Sequence, residues 1–346
     1  VIGGCHTSVV RELRTLPKAH LHLHLTGSAR RTTIRELADK YGVSLPPALV
    51  DEESGTDQAL RQVHRNWSDF QGQYHAARQT IRSADDVRRI IREAAEDDAA
   101  EGSGWVELQV DPSSYEPYLG GLDQAVDTMV DACQDAARAT GVGIGLVLAV
   151  SWAAAPQRAQ RVARVAARYA DRGVVGFGIS NDERLGEPDT FVPASRIARD
   201  AGLLVVPHAG FYSDHTHVRR CVELLGASRI GHGITAAASP STLEILTWHR
   251  VTMEICPTSY VPFGVLSTQA QIPIDAFRRS GVPVALGADD PLIFGTRLTG
   301  QYEILRGIHG FDDRTLADLA RQAVSASTAP VEVVQPLLAG IDVWAL

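Results

Sequence analysis

The chain has little of what would mark it as anything other than a large folded enzyme-sized domain. Its 346 residues include only four cysteines (Cys5, Cys133, Cys221 and Cys256), and no two form a CxxC pair. No disulfide framework is implied, Cys133 and Cys221 read as small hydrophobes in helices, and a reducing cytoplasm is the expected setting. No apolar run approaches the ~20 residues of a membrane span, and the stretch Val1–Val10 lacks a signal peptide's apolar centre. Positive charge is in deficit. A formal net charge of −8 and a pI near 5.8 argue against sequence-independent binding to nucleic acid or an anionic membrane. Linkers rich in Pro, Gly or Ser are missing, as are internal repeats, so residues 1–346 read as one domain.

What is present is an ordinary core-forming composition, 45% hydrophobic and 21% charged. Apolar runs alternate with helical stretches along the chain. The strands are expected at Lys18–Leu25, Trp105–Val110, Val142–Val150, Val174–Ile179, Leu203–Val206, Arg229–Gly231, Val251–Ile255 and Val282–Leu286. Helices are expected at Thr32–Tyr41, Ala84–Ala100 (capped by Ser83), Gln124–Ala139, Arg158–Ala170, Asp214–Leu225 and Pro240–Trp248, with closing helices from Thr315 to Leu346. A helical insertion bearing Trp67, Phe70 and Tyr74 follows the first unit. Eight strand–helix units in strict alternation predict an α/β fold, a (β/α)₈ TIM-type barrel. A doubly wound sheet is the weaker reading, because no GxGxxG follows the first strand.

The segment Lys18-Ala19-His20-Leu21-His22-Leu23-His24-Leu25 alternates without a break. On a strand, its three histidines face one way and its leucines the other. Packing would favour Val or Ile on such a face, so alternating imidazoles point to a metal. Other potential ligands also fall where strands end and barrel enzymes place their chemistry. His208 follows Leu203–Val206, His232 sits in Arg229-Ile230-Gly231-His232-Gly233, and Asp289-Asp290 follow Val284–Ala288. Imidazoles plus a carboxylate without thiolates suit one Zn²⁺, which makes hydroxide available near neutral pH. His232 or Asp289 is then placed to orient or deprotonate the water. Asp289-Asp290 also reads as a helix cap before Pro291. His20, deeper in the barrel, reads as a buried hydrogen-bonded residue. His6, His64, His75, His215, His217, His249 and His309 read as surface or rim residues.

These pieces resemble the adenosine deaminase family of the amidohydrolase superfamily, nearly end to end. The matching segments are Leu16-Pro17-Lys18, Leu21-His22-Leu23-His24-Leu25 with Gly27, Asn181-Asp182-Glu183, and His208-Ala209-Gly210. They continue through Ile230-Gly231-His232-Gly233, Glu254-Ile255-Cys256-Pro257-Thr258-Ser259 and Gly287-Ala288-Asp289-Asp290-Pro291-Leu292. The resemblance implies a zinc held by His22, His24, His208 and Asp289, water oriented by His232, and a purine ring bonded by Asp290. It implies hydrolytic deamination at C6 of an adenine ring, with a small-molecule purine as partner and an oligomer possible.

Three positions depart from the family pattern, all on the substrate side. The family's HAGE tetrapeptide ends in a Glu that protonates ring N1, and here that residue is Phe211. Thr26 stands where an acidic residue often meets the ribose, and Asn181 where a glycine often lies against the purine. With Gly210, these residues are expected to line the substrate. The metal set and His232 are intact, which favours a changed substrate or reaction over decay. A nearby acid (Asp214, Glu183 or Asp182) is the alternative source of the proton. The leading reading is a hydrolase acting on C–N bonds of cyclic amidines, a zinc-dependent deaminase of adenosine or a modified purine nucleoside. Its rivals are a metal-dependent hydrolase or lyase of a specialised-metabolite pathway that no longer deaminates adenosine, and a non-catalytic purine-binding homologue.

Overall fold

A computed structural model describes residues 10–50 and 67–346. Eight parallel strands follow one another around the sheet in chain order, β1 to β8. They are β1 Lys18–His24, β2 Ser103–Val110, β3 Gly143–Ser151, β4 Val174–Ser180, β5 Leu204–Ala209, β6 Arg229–His232, β7 Thr252–Ile255 and β8 Val284–Leu286. A parallel bridge between Leu23 and Asp289 joins the last strand's end to the first, completing a (β/α)₈ barrel. Helices pack outside, each with one apolar stripe. In Ala84–Ala100 that stripe is Val87, Ile90, Ile91, Ala94 and Ala95, and Ser83 caps it by accepting the N–H of Asp86. The helix expected to end before Gly42 does so, because Gly42 takes the left-handed conformation (φ 63°) and closes the turn.

Differences from the expected boundaries are small and instructive. β1 stops at His24, because Leu25 begins a short helix, Leu25–Ser28. β5 runs through Pro207 to Ala209, so His208 lies within the strand rather than after it. The helix expected over Asp214–Leu225 is α-helical only over His215–Arg220 and turns π-helical over Cys221–Leu225. The insertion bearing Trp67, Phe70 and Tyr74 is helix Trp67–Gln79. Cys133 and Cys221 are buried on helices as free thiols, while Cys5, His6 and His64 lie outside the described residues. Among the described residues, no helix is long and apolar enough to cross a membrane.

The barrel floor carries charge. Arg229 of β6 is 2% exposed in its side chain, ion-paired with Glu107 of β2 and with Glu254 of β7 at 2.8 Å. Glu107 also accepts the N–H and hydroxyl of Thr328, each at 2.8 Å, and Arg229 Nη1 donates to the Ala326 carbonyl at 3.1 Å. The turn after the penultimate helix is thereby fastened to the strands it plugs. Buried ions are tolerated only when each has its partners. Removing Arg229 leaves two carboxylates without a counter-charge, so Arg229→Ala is expected to lower the unfolding free energy by about 3–5 kcal/mol in denaturant titration. A loss under 1 kcal/mol would show that the trio does not hold the floor.

Candidate metal centre

The bridge that closes the barrel also builds the site. The Asp289 N–H donates to the His22 carbonyl at 3.1 Å, and the His24 N–H donates to the Asp289 carbonyl at 3.0 Å. Asp289 is thus threaded between the backbones of two histidines, in the left-handed conformation (φ 60°). Its Oδ1 lies 3.6 Å from His22 Nε2 and 3.3 Å from His24 Nε2. β5 brings the His208 ring to 4.8 Å and β6 the His232 ring to 5.0 Å from the ring of His22. Gly231 permits this crowding. A Cβ there would stand 2.7 Å from His208 Cδ2 and 2.9 Å from His22 Cε1.

Donors about 2.0–2.2 Å from one tetrahedral ion stand roughly 3.3–3.6 Å apart, the spacing Asp289 makes with His22 and His24. The Nε2 atoms of His22 and His208 are buried and have no hydrogen-bond partner among the described residues. Unpaired buried nitrogens are costly unless something binds them. His22 Nδ1 is meanwhile committed to Glu254 Oε2 at 2.7 Å, the carboxylate-behind-histidine arrangement that fixes a ligand's tautomer. Glu254 is in turn the residue that Arg229 holds. His22, His24 and Asp289 are therefore spaced for one divalent cation, and His208 joins them through a second donor group, His22, His208 and His232; His232 Nε2 is 4.0 Å from Asp289 Oδ2.

His20 has a different environment. Its Nδ1 meets Asp98 Oδ1 at 2.9 Å and its Nε2 accepts the Ala288 N–H at 3.0 Å, so the ring spends both nitrogens tying helix Ala84–Ala100 to the end of β8. His217 corrects the expectation of a rim residue. It is buried, edge-on to Trp152 at 4.9 Å, because Trp152 stands upright to donate its indole N–H to the His208 carbonyl. His249 and His75 are exposed, and His309 Nε2 donates to the Gln269 carbonyl at 3.0 Å.

Electrostatics follow burial. Burial pushes His208 well below the usual imidazole range, and neighbouring His22, His232 and His24 push the same way. Burial also lowers His24, against the pull of Asp289, and takes His232 down to about 3. Burial works against a charged His22 too, but Asp289 and Glu254 outweigh it and hold that ring at about 10. Burial alone would raise Asp289; His22 and His24 keep it well below the carboxylate range. Asp290 goes up, through burial and then the charge of Asp289. It occupies the N-cap position of helix Pro291–Phe294 without a side-chain cap bond, and its Oδ1 packs where a Cβ on Gly27 would fall, 1.8 Å away. The expected cap is therefore positional only.

Above these groups opens a cavity of about 820 Å³ measured out to its mouth, lined by His24, His208, His232, Asp289, Asp290 and Phe211 among others. Asn181 is at its exposed rim with φ 68°, a conformation that glycine or asparagine takes most easily. Its Oδ1 accepts from Gln71 at 2.9 Å, so its side chain ties the β4 loop to helix Trp67–Gln79. Thr26 is fully buried behind the wall, hydrogen-bonded to the cavity-lining Tyr115 at 2.8 Å. Gly210, also behind the wall, has φ 71° and no room for a side chain, since a Cβ would meet Val218 at 2.5 Å. Phe211 faces His232 with ring centroids 4.6 Å apart and touches Tyr212, Tyr260 and Phe263. Trp67 and Phe70 continue that aromatic wall through Phe263, at 5.5 and 5.0 Å. The sequence assigns no role to Glu254, Arg229, Glu107 or Tyr115; the run Glu254-Ile255-Cys256-Pro257-Thr258-Ser259 was the one available signal.

The imidazoles give a pH test. In metal-free protein His24, His208 and His232 bind protons less readily folded than unfolded, so stability falls as pH drops below about 6.5. His22 acts oppositely, but its contribution is complete below the unfolded value and is lost only as pH rises through about 10. Melting temperature after chelation is expected to fall from pH 6.5 to about pH 5, and His208→Gln to flatten the slope. A flat profile in the parent would show that these rings are not held neutral.

Three comparisons fix the kinship of the chain. The adenosine deaminase family model matches residues 17–344. A Streptomyces virginiae protein named for adenosine/adenine deaminase activity is 52% identical over 335 residues, spanning 96% of this chain and 98% of its own. An aminodeoxyfutalosine deaminase of Streptomyces coelicolor is 35% identical over 322 residues, spanning 90% and 80%. The adenine deaminase structure from Arthrobacter aurescens superposes with a TM-score of 0.85 at 24% identity, covering 95% of this chain and 98% of that one. The chain belongs to the adenosine deaminase family, hydrolases that act on C–N bonds of cyclic amidines.

Proposed function

We propose that this protein is a zinc-dependent deaminase of adenosine or a modified purine nucleoside. The observation that carries the reading is the overlap at His22 of two donor groups, His22-His24-Asp289 and His22-His208-His232, with the buried Nε2 atoms of His22 and His208 left unpartnered among the described residues. A bound zinc would supply a water acidic enough to ionise near pH 7. His232, neutral and beside Asp289, is placed to orient that water and take its proton. Asp290, pushed up by burial and by the charge of Asp289, lines the cavity where the resemblance implies a contact with the purine ring. Of the Thr26–Tyr115 hydroxyl pair only Tyr115 lines the cavity, and neither offers a carboxylate to a sugar.

The aromatic wall around Phe211 favours a substrate with apolar bulk beside the reacting ring edge, and therefore a modified purine over plain adenosine. The relatives' printed activities, on adenosine, adenine and aminodeoxyfutalosine, define the panel to try. Zinc-loaded protein incubated with these three and with N6-substituted adenosines is expected to release ammonia from at least one. Chelation should abolish the release and zinc restore it. His208→Ala is expected to weaken zinc binding at least 100-fold and Glu254→Gln about 10–100-fold in chelator competition. Silence across the panel with zinc bound would leave the metal site standing and remove the deaminase reading.

A further inference from the structure

Arg78 is the only lysine or arginine among the described residues that line the cavity. It lies in the last turn of helix Trp67–Gln79, where a cation suits the helix dipole. That placement accounts for a positive charge on the helix but not for its partners, which are all neutral. Nη1 donates to the Ser114 hydroxyl at 3.3 Å and Nη2 to His75 Nδ1 at 3.1 Å, and no carboxylate of the described residues meets the guanidinium. The remaining N–H groups, Nε–H among them, keep a planar fork of the kind that grips a carboxylate or phosphate.

The groups around Arg78 do not oppose an anion. Asp111 also lines the cavity, and its charge and that of Arg78 both reach the Tyr115 phenol. The Asp111 carboxylate is already engaged: Oδ1 accepts the N–H and hydroxyl of Ser113, and Oδ2 pairs with Arg158 at 3.2 Å. Two guanidiniums therefore stand around one carboxylate, and the excess positive charge belongs to Arg78. Ser114 accepts from Arg78, but its own hydroxyl proton has no acceptor among the described residues and is free to be donated. Thr26 and Tyr115 bond to each other at 2.8 Å and add no charge. Asp290 and Arg78 both act on the Tyr74 phenol, which keeps the guanidinium near the ring-side acid without pairing the two.

We propose that Arg78 and Ser114 form an anion subsite in this cavity, which selects purine nucleosides carrying a carboxylate or phosphate on the sugar. The assignment of the sugar to this side rests on the deaminase reading above, in which the ring meets Asp290. The guanidinium fork takes oxygens of the anion and the Ser114 hydroxyl donates to another. A neutral 5′-hydroxyl would leave the cation with its present long, neutral contacts. The subsite holds the far end of the substrate and takes no part in the bond changes at the ring.

The test titrates full-length zinc-loaded protein with inosine, inosine 5′-carboxylate and inosine 5′-monophosphate in a calorimeter, since products fill the cavity without turning over. At least one of the two anions is expected to bind about 10–100-fold more tightly than inosine, and whichever does so names the source of the charge. The gain should shrink as salt rises. Arg78→Gln should remove it while changing the affinity for inosine by less than about threefold and leaving the melting temperature unchanged, and Arg78→Lys should keep part of it. Ser114→Ala should weaken the anionic ligand alone, by about tenfold. Equal binding of all three ligands by the parent overturns the proposal, an arm that holds even if a variant fails to fold. So does a gain that survives in Arg78→Gln. Ammonia release from the matching adenosine series is measured separately. Release without an anion preference keeps the deaminase reading and removes the subsite, whereas a preference lost in Arg78→Gln without any release keeps the subsite and removes the reading.

Discussion

The two backbone hydrogen bonds that Asp289 exchanges with His22 and His24 are the contact on which the rest depends. They close the barrel between β8 and β1, and the same residue aims its carboxylate at both imidazoles. Fold closure and site assembly are therefore one event. The left-handed backbone at Asp289 is unfavourable for a side-chain-bearing residue, by about 1–3 kcal/mol. His232 and Asn181, also at the mouth, share it with φ of 69° and 68°. Of the four non-glycine residues with positive φ among those described, only Arg250 lies away from the cavity. Strain is thus concentrated where strands hand over to loops and side chains must turn toward a common point.

Beneath that point, charge is arranged in series. Glu107 holds Arg229, Arg229 holds Glu254, and Glu254 holds the Nδ1 of His22. Each link is buried, so each ion is acceptable only because the next one is present. The consequence is directional. From the plug formed by Ala326 and Thr328, three side chains lead to the His22 imidazole with no flexible segment between them. Apolar residues would fill the floor as well, but they would leave His22 free to choose its tautomer and angle.

The cluster of imidazoles with Asp289 was legible in the sequence because its signals are periodic and local. His22 and His24 alternate on one strand, and His208, His232 and Asp289 each follow an apolar run that can be recognised alone. The fold was legible for the same reason, with eight apolar runs separated by amphipathic stretches. What escaped reading depends on contacts across the barrel. Nothing in its neighbours marks Arg229 as the partner of Glu107, 122 positions away. His217 reads as a surface or rim residue because its burial is imposed by Trp152, from another strand's end. Asn181 looked like a side chain thrust at the ring, yet its positive φ and its bond to Gln71 turn it into a rim tether. Even the true length of β5 was hidden by Pro207, which ends a strand in sequence but not here.

The aromatic side of the cavity follows a different logic. Phe211 stands where the family resemblance implies an acid, and a carboxyl there would need hydrogen-bond partners, whereas the ring packs against His232, Tyr260 and Phe263 and extends an apolar wall to Trp67 on the inserted helix. A ligand seated against that wall would lose water on that face, and the lower local polarity would strengthen any polar contact it made elsewhere in the cavity.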